Sequence, residues 1–398
     1  MIRNPFEKQP HPSISSERQK EKTPSSPSPE TPHDEQSLDV VPAKNVPGFT
    51  GLEVAYTLEK KHVQGKPRPS HNEDSALADP ATGLMGVFDG LGGGPGGAKA
   101  SAMASHVLPD FFLEERTRQA LRAPEEVRGD LRAYLQKQTN EYIKLRPDPS
   151  AFPQEISALN ADRQRMLAVL EQDTELSEKT LALLSTFKEM GLSVEITGGQ
   201  TTACTGFVHQ SADGTHYAVI ANVGDSAALV LDSDGRIEQI THDDSLLNGL
   251  LESRGLSPEK LLEMKRDPAK QHNLPTFRDG ILRMKLSPIS YYQLSVTTMR
   301  TVGGEGHPSL TIRELSPGDT LIFCTDGVID KYETMPTDQT TADDAISKMT
   351  DLDELASTFR SDAPFKSRVN ELRLEASFRQ SYKLTDDIAI VAARLKEE

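Results

Sequence analysis

The sequence predicts a layered α+β fold, on three observations. Apolar runs of four to eight residues recur between turn residues, a long block with helical spacing separates the early runs from the later ones, and strands and helices do not alternate regularly. From about residue 50 the runs LEVAYTL, GLMGVFDG, TACTGFV, HYAVIANVGD, AALVLD, TLIFCTDG and DIAIVAARL read as strands. DSDG at 232–235 is a hairpin turn between AALVL and RIEQI, and SPGD at 316–319 introduces another strand. From about 98 to 192, DLRAYLQKQTNEYIKL and RQRMLAVLEQDTELSEKTLALLSTFKEM place apolar residues three and four apart, and RPDPSAFP at 146–153 breaks the block into separate helices.

Residues 1–48 are of another kind. They hold nine of the 26 prolines, many serines and nearly balanced charge, and PSSPSPETP favours extended conformations that cannot nucleate a core. They read as a disordered tail ahead of one folded domain, 49–398.

Composition narrows the function. With 60 acidic against 44 basic side chains the chain carries −16, which argues against nonspecific nucleic-acid binding. It does not exclude phosphate chemistry, because a metal ion can supply the missing positive charge. Two cysteines, Cys204 and Cys324, make neither a disulfide framework nor a zinc set, and both are expected as buried thiols. No apolar run approaches the ~18 residues a membrane span needs, and MIRNPFEKQPHP lacks an apolar signal core. The expectation is a cytoplasmic, monomeric protein with no membrane or nucleic-acid partner.

Four motifs place an aspartate at a strand end: GVFDG (Asp89), ANVGDS (Asp225), LIFCTDG (Asp326) and KLTDDIAIV (Asp386, Asp387). HNEDSAL places Glu73 and Asp74 just before a short strand. Singly, each is an ordinary turn former. Gathered together, buried carboxylates need a cation, and carboxylates, carbonyls and water are the ligands of Mg²⁺ or Mn²⁺. The glycines after Asp89 and Asp326 allow a sharp turn, with a carbonyl that can face a metal.

The ordered set NED, VFDGLGG, GGQTT, NVGDS, FCTDG and TDDIAIV resembles the metal-dependent protein phosphatases of the PPM, or type 2C serine/threonine, family of bacterial type, over roughly residues 50–396. The resemblance implies an α-β-β-α sandwich of two antiparallel sheets flanked by helices. It implies hydrolysis of phosphoserine and phosphothreonine on proteins, with a counteracting kinase as partner, by a hydroxide bridging two Mn²⁺ or Mg²⁺ ions. By position Asp89 is the carboxylate shared by both ions and Gly90 offers its carbonyl. Asp326 and Asp386 complete the first ion's carboxylates, Glu73 and Asp74 act through metal-bound waters, and Asp225 holds a third ion. Thr201 and Thr202 have a structural role beside the site.

The chain also departs from that pattern. The arginine expected four residues before the glutamate is Arg68, five before Glu73, and remains the candidate phosphate contact. Leu91 replaces a histidine found in many members, and His71 is read as a solvated loop residue. Ala227 replaces an arginine, and Asp387 replaces an asparagine, where it either tightens metal binding or points to solvent. The helical stretch near 147–192 and the flap near 243–301 exceed the family's usual lengths, the flap suggesting a restricted partner. Gly92, Gly94 and Gly97 formally match a dinucleotide-binding fingerprint, but the long helical block after them does not suit that fold. The rival of another class is an inactive phosphatase-like regulator, which the departures favour and the retained carboxylates oppose.

Overall fold

The apolar runs become strands that are covered on both sides, which is why they read as continuous runs and not as alternations. The structure is a computed structural model describing residues 40–60, 71–91, 95–144, 153–241, 244, 302, 307–329, 352–359, 363–379 and 386–396. Arg68, nearly all of the expected flap and residues 1–39 lie outside them.

In chain order the elements are β1 (Val40–Val46), β2 (Leu52–Glu59), β3 (Ser75–Asp79), β4 (Leu84–Phe88), β5 (Gly90–Leu91), α1 (Pro95–Gln119), α2 (Pro124–Lys144), α3 (Pro153–Gln172) and α4 (Thr174–Glu195). Then come β6 (Gln200–Thr201), β7 (Ala203–Gln210), β8 (His216–Val223), β9 (Ala227–Leu231), β10 (Ile237–Gln239), β11 (Ser309–Leu315), β12 (Thr320–Cys324), α5 (Asp326–Ile329), α6 (Asp353–Phe359), α7 (Phe365–Arg379) and β13 (Ile388–Leu395). One sheet has the order β1-β2-β13-β12-β9-β10, a second β11-β8-β7-β4-β3, and β5 pairs with β6; every pairing is antiparallel.

Strand parity sorts the side chains into three apolar layers. Met85, Val87, Ile220, Leu321, Phe323, Ala389 and Val391 fill the space between the sheets. Leu84, Phe88 and Val219 face the other way, against Leu108 and Phe112 of α1 and Leu183 and Phe187 of α4. Ile322, Ile388 and Ile390 pack under Leu355 of α6 and Val369 and Leu372 of α7. The result is the expected helix–sheet–sheet–helix sandwich.

Three details differ from the sequence reading. The tail boundary at 48 falls inside folded chain, because Val40–Val46 pairs with β2 as an edge strand. The stretch 147–192 is not all appended structure: α3 lies outermost, while α4 buries Leu176, Leu183, Phe187 and Met190 in the core. Helices α6 and α7 were not anticipated, although Phe365, Val369, Leu372 and Ala376 form a buried stripe at helical spacing. Cys204 and Cys324 are buried free thiols.

Candidate metal centre

The parity that builds the central core also aims the acids. Val87 faces the inter-sheet space, so Asp89, two residues on, faces it too. The same step of two leads from Ala76 back to Asp74, from Phe323 on to Thr325, from Ala389 back to Asp387, from Cys204 back to Thr202 and from Ala228 back to Ser226. Six strand ends therefore deliver polar side chains to one end of a layer that is otherwise apolar.

Asp89, Asp225 and Asp326 each present a carboxylate oxygen within 4.8 Å of the others, Asp89 half-buried and the other two buried. Asp386 is half-buried, and its Oδ1 accepts the Asp387 N–H at 2.9 Å. Its charge reaches both Asp74 and Asp89. Burial pushes the Asp74 carboxyl well above its ordinary range, and Asp387, Asp386 and Asp326 add to this against a hydrogen bond from Thr325. Burial likewise raises Asp89, reinforced by Asp74, Asp386 and Asp225. Buried carboxylates crowded in this way are costly to ionise unless a multivalent cation offsets their charge. The donor set is all oxygen, as a hard ion such as Mg²⁺ or Mn²⁺ requires. The residues fit that group.

The loops carrying the acids are clamped to one another. Gly90 N–H donates to the Glu73 carbonyl at 3.1 Å, which also accepts from Ser101 Oγ at 2.5 Å. The Glu73 N–H donates to Asp387 Oδ2 at 2.7 Å. Asp387 is thus buried and bound to the Glu73 backbone, and it does not point to solvent. Thr325 donates to Asp74 Oδ2 at 2.8 Å while accepting from the Ala389 N–H at 3.0 Å, joining the ends of β12, β13 and β3. A Cβ at Gly90 would stand 2.4 Å from the Gly97 backbone and 2.5 Å from the Glu73 carbonyl oxygen, so the start of α1 lies directly on the acid loop.

Thr201 and Thr202, expected as structural, bond Asp89 itself. Thr202 N–H and Thr201 Oγ1 donate to its carbonyl at 2.8 and 2.7 Å, and its N–H donates to Thr202 Oγ1 at 3.0 Å. Sequence reasoning missed Ser226 and Asp244. Ser226 Oγ is 2.7 Å from Thr202 Oγ1. Asp244, buried, accepts the Gly224 N–H at 3.0 Å and returns its own N–H to the Gly224 carbonyl. Ser226 sits inside the NVGDS motif and was within reach; nothing local distinguishes Asp244 from Asp243. His71 is exposed, as expected, and Leu91 is half-buried.

Residues 302–396 match the sequence model of a family described as stage II sporulation protein E. Similar solved structures include the serine/threonine phosphatase PstP/Ppp of Mycobacterium tuberculosis, at 20% identity and a TM-score of 0.43 over 87% of this chain and 99% of that one. The PPM Ser-Thr phosphatase MsPP from Mycobacterium smegmatis, in complex with cacodylate, is 18% identical over 90% and 100%, with a TM-score of 0.44. PppA of Pseudomonas aeruginosa, a regulatory component of T6SS, is 16% identical over 89% and 98%, with a TM-score of 0.44. No curated protein matches the chain.

Proposed function

We propose that the chain is a metal-dependent phosphatase acting on phosphoserine and phosphothreonine in proteins, opposed in its setting by a kinase. The convergence of Asp89, Asp225 and Asp326 carries the reading: three carboxylates from three separate strand ends meet within 4.8 Å, with Asp74 and Asp386 beside them. Such crowding is unfavourable without a cation, and a surface-exposed acidic patch would not need the backbone clamps described above.

Asp89, Asp225, Asp326, Asp386 and the Gly90 carbonyl would hold the ions, with Glu73 and Asp74 orienting water around them. When bound, Mn²⁺ or Mg²⁺ supplies Lewis-acid charge that acidifies water and offsets the charge of the phosphoryl oxygens. The chain's own residues fix the oxygens that hold this charge, and the apolar layer of Met85, Val87 and Phe323 limits water on the protein side. Both cysteines are buried, and burial raises the Cys204 thiol well above its ordinary range, which argues against Cys204 as a thiolate nucleophile.

Turnover of p-nitrophenyl phosphate and of phosphothreonine and phosphoserine peptides tests the reading. Activity should require Mn²⁺ or Mg²⁺, disappear with chelator, and fall by ~10² or more in Asp326→Asn, the order typical of losing preorganised charge stabilisation. Metal-independent turnover, or an undiminished Asp326→Asn variant, would overturn it. Among the described residues no helix is long and apolar enough to cross a membrane.

A further inference from the structure

Thr202 touches both of the strand-end loops that bring Asp89 and Asp225 together, and it touches each loop twice. On the Asp89 side it donates its N–H to the Asp89 carbonyl at 2.8 Å and accepts the Asp89 N–H on Oγ1 at 3.0 Å. On the Asp225 side Oγ1 lies 2.7 Å from Ser226 Oγ. Its methyl carbon lies against Gly224, where an added Cβ would stand only 2.6 Å from Thr202 Cγ2. The contacts on this second loop flank Asp225 on both sides.

A backbone N–H can only donate, so Thr202 Oγ1 is the acceptor toward Asp89, while either hydroxyl can supply the proton of the Thr202–Ser226 bond. Thr202 and Ser226 are fully or almost fully buried, at 0% and 1% exposed, so water does not substitute for either bond. Gly224 has φ +104°, a conformation glycine adopts freely, which lets the loop close onto the threonine.

We propose that Thr202 is a positioning residue whose hydroxyl fixes the separation of the Asp89 and Asp225 carboxylates, and so tunes how tightly that pair holds a divalent cation. The inference rests on the metal-binding reading above. Thr202 does not touch the ion or the substrate; it acts by holding the backbones from which two ligands project.

The test is Mn²⁺ binding to the full chain by calorimetry, with turnover measured in parallel. Thr202→Val keeps the shape and removes the hydroxyl, and affinity should fall about tenfold, the order seen for partners that orient metal ligands. Thr202→Ser keeps the hydroxyl and should stay within about threefold of the parent. Thr57→Val deletes an equally buried hydroxyl that donates to the Val41 carbonyl; it should lower stability and leave Mn²⁺ affinity unchanged. If Thr202→Val does not fold, Ser226→Ala removes the partner hydroxyl while sparing the Asp89 bonds, and affinity should again fall. Parent-like Mn²⁺ affinity in Thr202→Val or, where that variant does not fold, in Ser226→Ala overturns the proposal. So does equal impairment of the valine and serine variants. An absence of Mn²⁺ binding in the unmutated chain overturns the metal reading itself, and is distinguishable because it shows before any substitution.

Discussion

Gly97→Ala, paired with Gly129→Ala, separates the packing of the acid loop from ordinary helix propensity. Both glycines lie in long helices, α1 and α2. A Cβ at Gly129 meets nothing within 4 Å, so alanine there should stabilise by about 0.5–1 kcal/mol through lost unfolded-chain freedom and better propensity. At Gly97 the same atom would stand 2.7 Å from the Gly90 carbonyl oxygen and 2.8 Å from the Leu91 carbonyl oxygen, against 3.4 Å for ordinary contact. All three obstacles are backbone, so α1 and β5 must separate by roughly 0.6–0.7 Å, an overpacking that costs about 1–3 kcal/mol. Because the propensity gain is common to both variants, the difference between them isolates that cost. Urea unfolding in chelator should show Gly97→Ala less stable than Gly129→Ala by about 1–3 kcal/mol. Mn²⁺ affinity should fall only in Gly97→Ala, since the displaced atom is the Gly90 carbonyl. Equal stabilities, or parent-like Mn²⁺ binding in Gly97→Ala, would refute the close approach of α1 to the acid loop.

Other substitutions probe other links. Arg373 pairs with Glu59 in a buried ion pair that Ser377 Oγ completes at 3.2 Å. Arg373→Met alone should cost about 3–5 kcal/mol by leaving a buried carboxylate, whereas Glu59→Gln with Arg373→Met should recover most of that loss in thermal unfolding. Asp387→Asn keeps an acceptor for the Glu73 N–H and removes a charge that crowds Asp74, so the metal-free protein should gain stability while Mn²⁺ affinity falls; both moving the same way would refute this. At the far end of the sandwich, burial pushes the Asp173 carboxyl up, but the Leu176 N–H, Ser211 hydroxyl and His209 outweigh it and hold the group below its ordinary range. A carboxylate depressed in the folded state stabilises above its unfolded value and loses that contribution as pH falls through the folded one. Asp173→Asn should therefore lower stability near pH 6–7 and make about no difference near pH 2, by urea midpoints.

Much of the fold was legible because strands covered on both faces announce themselves as apolar runs, and seven of those runs became β2, β4, β7, β8, β9, β12 and β13. What escaped depends on long-range pairing. VVPAKNV has one proline and two polar residues in seven and resembles the tail before it; only the vacant edge of β2 makes it a strand. For α7 the signal existed, but Glu371, Arg373, Glu375 and Lys366 mask it in composition, and its buried stripe is narrow. The block 98–192 declared its helices without declaring which of them is core. Leu176, Leu183 and Met190 answer that only once α4 is seen against the five-stranded sheet.

The site shows the same division between what is local and what is not. An acid after an apolar run is visible in one dimension, and the period of two then assigns it a face without any structure. Counting back or forward from Val87, Ala76 and Ala389 would have put Asp89, Asp74 and Asp387 on the inter-sheet side. Parity cannot say which loops touch. Glu73 is bonded to Asp387, 314 residues away in sequence, and Thr325 to Asp74 across 251. Those closures bear on Asp387: its Oδ2 accepts the Glu73 N–H, so the residue clamps the Glu73 loop while adding charge beside Asp74. An asparagine could clamp as well. What the acid contributes beyond asparagine is therefore electrostatic, a further negative charge beside Asp74 that, on the metal-dependent reading proposed above, would favour occupation of the site by a cation.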